Sequence, residues 1–222
     1  MALRAQWGTY DDMIRAMLGR DRTYRSYNVQ AGELPTDLIE CSAYVITGSA
    51  AAVYDDLPWI PPFLDFLHKV RGKAKLVGIC FGHQAMAKAF GGEVVKSPKG
   101  WAVGMHRYEI VEPPPGMREP LAFAIPAFHQ DQVVTLPPGA RVLAASDFTP
   151  FASIGYDDNT VSVQGHPEFS PAFSAALIMA LRDVYGPLAG PALLSLLQPE
   201  DGGRASDWLR RFVDGGGLDA PG

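Results

Sequence analysis

The sequence predicts an α/β protein with an open, three-layer, mostly parallel sheet flanked by helices and extended by β-hairpins at its edge. Short apolar runs alternate with helical patterns, which is typical of parallel βα units. Proline and glycine clusters separate several further short strand candidates in the middle of the chain. With 222 residues, 47% of them hydrophobic, the chain can bury a sizeable core, which excludes a disordered protein.

The first elements follow a strand–helix order. Residues 43–47 form a predicted buried strand, and residues 59–70 a helix whose apolar side chains recur every three or four positions. Residues 75–79 form a second buried strand. A short alanine-rich helix is predicted over His83–Phe90, where the following Gly91 ends it. The pattern therefore predicts two parallel strands, each followed by a helix.

The middle and the tail of the chain differ in character. A strong helix is predicted over residues 171–185, and two amphipathic pieces over 191–197 and 205–213. We expect residues 1–188 to form one domain and residues 189–222 a helical C-terminal extension. The middle strand candidates, which we expect to add hairpins to the sheet, are residues 105–111, 121–125, 133–135, 141–145, 151–156 and 160–164.

Charge and cysteine content exclude several classes of function. Twenty-four acidic against 19 basic residues give a net charge of −5 without a basic block, which argues against nucleic-acid and anionic-membrane partners. No apolar run approaches the ~20 residues of a membrane span, and residues 1–7 lack the apolar core of a secretory signal. Cys41 and Cys80 cannot build a disulfide framework. We expect a cytoplasmic, reduced protein in which Cys41 is structural.

Cys80 lies between a predicted strand and a predicted helix, with Gly78 and Gly82 two residues away on either side. The spacing G-x-C-x-G matches the G-x-S-x-G nucleophile elbow, in which a tight turn exposes the reactive side chain. A helix start also favours the thiolate form of cysteine. The alternative is a buried structural cysteine at a strand end. The agreement of strand, glycines and helix favours a nucleophile.

His166 and Glu168 supply a base and a group to orient it. They follow the strand candidate 160–164, so His166 is expected at the same edge of the sheet as Cys80. A thiolate nucleophile needs such a base, and the Glu168 carboxylate can hold one imidazole nitrogen while the other faces the sulfur. The backbone N–H groups of Phe81 and Gly48 are candidate oxyanion donors, although spacing alone favours an ordinary strand-to-loop turn at Gly48.

Together, Gly-Ile-Cys80-Phe-Gly-His-Gln84 and Gly-His166-Pro-Glu168 resemble the class I, triad-type, glutamine amidotransferases, and in particular stand-alone proteins similar to the glutaminase domain of GMP synthase. The resemblance covers about residues 43–185 and implies a flavodoxin-like fold. It implies that Cys80 is the nucleophile, His166 the general base and acid, and Glu168 its orienter. It also implies oxyanion donation by Gly48 and Phe81.

The resemblance further implies a substrate and a reaction. Cys80 would attack the side-chain amide of glutamine, His166 would protonate the departing ammonia, and water would then cleave the γ-glutamyl thioester. Gln84 would contact the bound glutamine. No metal or organic cofactor is implied, and the histidines show no zinc-ligand spacing. A separate synthetase subunit is a possible recipient of the ammonia, because this sequence contains no nucleotide-binding loop.

Three further residues are candidate substrate contacts. Trp101, in the segment after the nucleophile helix, either walls the pocket or packs in a hairpin turn. The segment with His129 and Asp131 resembles the family's His-x-Asp region, where these residues either bind the substrate α-amino group or cap a loop.

Other functions fit part of the pattern. The segment around Trp101 is also similar to stand-alone γ-glutamyl peptidases of the same superfamily, and a catalytically silent regulatory subunit would keep the fold without needing all three triad residues. An α/β hydrolase would place its acid before the histidine, whereas Glu168 follows His166. Residues 1–6 are too short and polar for the central strand with which the family normally begins, so we hypothesise a truncated or late-assigned start.

Overall fold

The structure, a computed structural model, describes residues 2–119 and 121–215. Single turns of 3₁₀ helix occur at residues 29–31 and 186–188. The helices are α1 (Ala2–Trp7), α2 (Tyr10–Leu18), α3 (Ile60–Val70), α4 (Phe81–Ala89), α5 (Pro171–Ala180), α6 (Arg182–Tyr185), α7 (Ala189–Ser195) and α8 (Gly202–Asp214). The strands are β1 (Ala43–Ile46), β2 (Lys75–Ile79), β3 (Glu93–Lys96), β4 (Ala102–Ile110), β5 (Phe123–His129), β6 (Asp131–Thr135), β7 (Arg141–Ala145), β8 (Ser153–Asp157) and β9 (Thr160–Val163).

Seven strands form one sheet in the order β1-β2-β9-β8-β7-β4-β5, flanked by helices, so the predicted α/β class is confirmed. The sheet is mixed, however, rather than mostly parallel. Only the β1–β2 and β2–β9 pairs are parallel, and the four pairs from β9 to β5 are antiparallel. The reason is that β7, β8 and β9 follow one another through short turns, which can join only antiparallel neighbours.

The predicted hairpins extend the sheet at its β5 edge, where β4 and β5 pair along seven residues. A separate two-stranded sheet pairs β3 with β6. The four-residue strand β3 was not expected from the sequence. Helix α4 begins at Phe81, two residues before the predicted start, and the predicted helix 171–185 is interrupted at Leu181.

The N-terminal region contains two helices. Thr9 caps α2 through a reciprocal hydrogen-bonded pair with Asp12, which satisfies free N–H groups at the helix start. Residues 2–7 form α1 rather than a strand. In the sheet β1 pairs only with β2, and a cavity of about 770 Å³ lies between β1 and residues 23–28. The hypothesis of a truncated start stays a prediction.

The C-terminal helices pack on the same body. Helix α7 lies against β4, and α8 packs on α2 and β5, where it buries Trp208, Leu209 and Phe212 in the core. The division into a domain of residues 1–188 and an extension of residues 189–222 stays a prediction, and residues 216–222 of that extension lie outside the described residues.

In the described part of the chain no single helix is long and apolar enough to cross a membrane. Helices 171–180 and 182–195 pass the length and composition criteria only as a pair, and they bend by 77° at the break between them.

Candidate active site

Cys80 occupies the tight turn between β2 and α4. Its φ of 52° and ψ of −103° make it the one non-glycine residue with a positive φ among residues 2–119 and 121–215. Its N–H donates to the Val163 carbonyl at 2.9 Å, and its carbonyl accepts from the Gln84 N–H at 3.1 Å. Such a conformation costs about 1–3 kcal/mol and persists only where the surrounding structure enforces it. The predicted elbow geometry is therefore present.

Gly82 explains how the elbow fits against the sheet. A Cβ atom on Gly82 would collide with the Ile46 carbonyl oxygen at the end of β1 and would lie 2.8 Å from the Ile46 side chain. Only glycine permits the first turn of α4 to approach β1 this closely. The second glycine of the G-x-C-x-G motif is thus required by packing.

His166 lies in the turn after β9, where its N–H donates to the Pro126 carbonyl at 2.8 Å. Its Nδ1 is 2.7 Å from Glu168 Oε1, and the two side chains are 4% and 2% exposed. The ring of Phe169 stacks on the imidazole with centroids 4.1 Å apart and planes at 8°. Orientation by a carboxylate and contact with a flat ring hold His166 in one position.

The ends of the three parallel strands meet at one point. A Cβ built on Gly48, just after β1, would lie 3.1 Å from His166 Cε1 and 3.8 Å from Cys80 Cβ. The sulfur also lies 4.0 Å from the Phe128 carbonyl oxygen. The sequence motifs therefore converge in space, as expected at the carboxyl edge of an α/β sheet.

Burial and neighbouring charges shift the pKa of His166 in opposite directions. Burial lowers its pKa, but the nearby Glu168 carboxylate and the Cys80 sulfur outweigh this effect and raise the pKa above its ordinary value.

The backbone N–H groups of Phe81 and Gly48 are the two predicted oxyanion donors. Phe81 is the first residue of α4, and Gly48 follows β1. Within the described part of the chain neither N–H donates a hydrogen bond. Both are free to bind a developing oxyanion, which is the role predicted for them.

A cavity of about 560 Å³ opens on Cys80 and His166, and all four predicted substrate contacts line it: Gln84, Trp101, His129 and Asp131. Gln84 uses its NH₂ group to donate to the Asp131 carbonyl at 2.9 Å and to Gln164 Oε1 at 3.2 Å. Its oxygen alone is left for a ligand.

The predicted pair His129 and Asp131 is linked through the backbone, because His129 Nδ1 lies 3.1 Å from the Asp131 carbonyl oxygen. Burial lowers the pKa of His129 to about 3, so the ring is neutral near pH 7. The Asp131 carboxylate accepts a hydrogen bond from the Tyr54 hydroxyl at 2.9 Å. The Asp131 carboxylate is a suitable hydrogen-bond acceptor for an ammonium group, whereas the neutral His129 ring cannot form an ion pair with it.

Five aromatic residues of the site were missed by the sequence analysis: Tyr10, Tyr54, Phe128, Phe169 and Tyr185. Phe169 directly follows the His166-Pro-Glu168 motif, and that adjacency was a signal that could have identified it. The three tyrosines come from separate segments and belong to no motif. Among the described residues no group of three or more His, Cys, Asp or Glu side chains is placed to hold a metal ion.

The sequence model of the family described as "Glutamine amidotransferase class-I" matches residues 14–180. The chain belongs to this family. The resemblance inferred from the Cys80 and His166 motifs is therefore confirmed, and members of the family are typically hydrolytic enzymes.

Several relatives of this family member carry names of their own. A glutamine amidotransferase-like protein of Schizosaccharomyces pombe is 30% identical over 81% of this chain and 79% of its own length. Gamma-glutamyl peptidase 4 of Arabidopsis thaliana is 33% identical over 74% of this chain and 69% of its own. GMP synthase [glutamine-hydrolyzing] of Thermosipho melanesiensis is 35% identical over 57% of this chain but only 24% of its own.

The fold agrees with the family. The crystal structure of a glutamine amidotransferase from Thermotoga maritima superposes with a TM-score of 0.77 at 23% identity and covers 92% of this chain and 91% of its own. This likeness shows that the two chains share a fold.

Proposed function

We propose that this amidotransferase-family chain is a cysteine hydrolase that breaks a γ-glutamyl amide bond through a covalent thioester on Cys80. The proposal rests on the strained Cys80 beside a buried His166 whose Nδ1 is held by Glu168 at 2.7 Å. Glutamine is the simplest substrate, with ammonia as the leaving group.

The reaction has two acyl transfers. The Cys80 thiolate attacks the amide carbon, a C–S bond forms, and the N–H groups of Phe81 and Gly48 bind the oxyanion. Protonated His166 gives its proton to the amide nitrogen, the C–N bond breaks, and the amine leaves. His166 then takes a proton from water, whose oxygen attacks the thioester carbon. The C–S bond breaks and glutamate is released.

The substrate's amino-acid end has a suitable binding region. Asp131, held by Tyr54, would accept the α-ammonium group, and the free oxygen of Gln84 would accept a second hydrogen bond from it. Trp101 lines the same cavity and would form part of its wall outside this ammonium-binding region. Delivery of ammonia to a separate synthetase subunit, and a cytoplasmic location, are parts of the proposal that rest on the sequence alone.

A γ-glutamyl peptidase is the second candidate. The relatives with that name match over 69–72% of their own length, whereas the GMP synthases match over 24% of theirs. The similarity thus extends over most of each peptidase sequence but over only a quarter of each GMP synthase, which supports the peptidase as a candidate. A silent regulatory subunit would lack turnover with either substrate.

The test is a comparison of the wild-type chain with the Cys80→Ala variant on glutamine and on γ-glutamyl-alanine, with free glutamate as the readout. We expect glutamate release that disappears in the variant, and an acid-quenched wild-type mass increased by one γ-glutamyl group. Ammonia release favours the amidotransferase activity, and faster alanine release favours the peptidase. Equal rates in both proteins, or no turnover of either substrate, would refute the proposal.

A further inference from the structure

The cavity at Cys80 has two chemically different walls. Its charged lining residues are Asp55, Lys96 and Asp131, which lie in the segment after β1 and on the paired strands β3 and β6. A second group of lining residues consists of Tyr10, Trp101, Phe128, Phe169 and Tyr185, together with leucines of the α5–α6 region. This second wall, which we call the aromatic wall, contributes no charged side chain to the cavity.

The aromatic wall is continuous and reaches His166. Phe169 stacks on the imidazole at 4.1 Å, and Tyr10 packs against Phe169 at 5.5 Å. On the other side, Phe128 packs on His166 at 6.2 Å and on Tyr185 at 6.4 Å. Trp101 meets Tyr185 edge-on at 5.3 Å. His166 thus contacts the rings of Phe169 and Phe128, which connect it to three further rings from separate parts of the chain.

The position of the leaving group follows from proton transfer. His166 can protonate the departing nitrogen only from about 3 Å. Any substituent on that nitrogen must therefore lie beside the rings that surround His166. Ammonia carries no substituent, so hydrolysis of glutamine would leave the aromatic wall without a function.

We propose that the aromatic wall is a leaving-group subsite, and that this chain prefers γ-glutamyl amides whose amine carries an uncharged, flat, apolar group. Tyr10 and Tyr185 are the residues that determine this specificity. The inference rests on the proposed γ-glutamyl hydrolase function and names its substrate class.

The two tyrosines are well placed for this role. Tyr185 is 4% exposed, so its ring is fixed by packing, whereas Tyr10 is 38% exposed at the opening of the cavity. Burial and the nearby Cys80 sulfur raise the pKa of Tyr10, and burial, Tyr10 and Cys80 raise the pKa of Tyr185 to about 12. Both phenols are therefore neutral near pH 7 and close to the reacting sulfur.

The test compares γ-glutamyl benzylamide with γ-glutamyl ethylamide. Both substrates carry an uncharged alkyl substituent on the amide nitrogen, and they differ mainly in the aromatic ring of the benzyl group. We expect wild-type kcat/KM to be about 10-fold or more higher for the benzylamide. Tyr10→Ala should reduce the benzylamide-to-ethylamide ratio about 5- to 10-fold, while Tyr10→Phe, which keeps the ring, should retain the ratio within about 2-fold. Tyr185→Ala is a second variant, used if its melting temperature shows that it folds.

Val184→Ala is the matched control, because Val184 precedes Tyr185 on α6, is 56% exposed and does not line the cavity. A wild-type ratio near one, or an unchanged ratio in Tyr10→Ala, overturns the inference while Cys80-dependent hydrolysis still supports the proposed function. If glutamine and both amides all resist Cys80-dependent hydrolysis, the proposed function fails and the inference fails with it.

Discussion

The two halves of the seven-stranded sheet contribute different parts of the cleft. The parallel half, β1, β2 and β9, ends in Gly48, Cys80 and the turn that carries His166. The antiparallel half ends in Phe128, His129 and, across the β4–β5 pair, Trp101. In the parallel half, backbone hydrogen bonds and a close glycine contact position Cys80 and His166. In the antiparallel half, the side chains themselves line the cavity. On the proposed function, we expect bond breaking to depend on the parallel half. We expect substrate choice to depend on the rest of the cleft, which comprises the antiparallel half, the β3–β6 pair and the aromatic wall.

Two isosteric substitutions give the largest expected difference, one in the parallel half and one on β6 of the separate two-stranded sheet. Glu168→Gln removes the charge that orients His166, and we expect kcat to fall about 10³–10⁴-fold, equivalent to about 4–5.5 kcal/mol of transition-state stabilisation. Asp131→Asn removes a charge from the substrate-binding side, and we expect mainly a rise in KM, about 10-fold. Steady-state kinetics on glutamine and γ-glutamyl-alanine measure both effects. A kcat loss in Asp131→Asn as large as that in Glu168→Gln would contradict the division between the parallel half and the substrate-binding residues.

The parallel half was the more predictable part of the molecule, because its constraints are local. The glycines around Cys80 are required by a turn of a few residues and by the contact of Gly82 with Ile46. Glu168 is two residues from His166, so their hydrogen bond needs little tertiary information. A close local geometry leaves a recognisable spacing in the sequence.

The antiparallel half and the aromatic wall could not be predicted in this way. Tyr10, Trp101 and Tyr185 are about 80 to 90 residues apart, and only the tertiary fold brings them into contact with one cavity. Whether a strand pairs parallel or antiparallel also depends on the path of the chain, which short apolar patterns do not encode. The break at Leu181 has no proline or glycine beside it to indicate a helix end.

Buried histidines provide a second comparison, with an effect on stability. Burial lowers the pKa values of His83, on α4 in the parallel half, and of His129, at the end of β5, to about 3. The unfolded chain binds protons at these histidines below about pH 6.5 and the folded chain does not, so folding free energy is lost as the pH falls from 6.5 toward 3. His166 has a raised pKa, so its contribution to stability depends on pH in the opposite direction. The contribution is present below pH 6.5 and is lost as the pH rises.

As the pH falls from 6.5 toward 3, we expect each of these two neutral histidines to lower the free energy of unfolding by about 1.4 kcal/mol per pH unit. Urea unfolding at pH 6, 5 and 4 measures how the free energy of unfolding changes with pH. This slope should be shallower for His83→Gln than for wild type, because about one proton fewer is taken up on unfolding. Gln can keep the contact with the Ser162 hydroxyl, which lies 2.8 Å from His83 Nδ1. Identical slopes would mean that His83 titrates in the folded chain as it does in the unfolded one.

The smallest expected effect concerns the strained turn at Cys80. Both Cys80→Ala and Cys80→Gly remove the sulfur, so both should be inactive, but they differ in how well they accept a φ of 52° with a ψ of −103°. The strain of a side chain in this conformation costs about 1–3 kcal/mol, and glycine avoids it at an entropic cost of about 0.5–1 kcal/mol in the unfolded state. We therefore expect Cys80→Gly to be the more stable variant by about 1 kcal/mol in urea unfolding. As a control, the order of stability should be reversed for Val45→Gly and Val45→Ala in the regular strand β1. Glycine relieves no backbone strain there and keeps only its entropic cost. If Cys80→Ala proves the more stable of its pair, the turn is relaxed rather than held under strain, and the parallel half owes its reactivity to proximity alone.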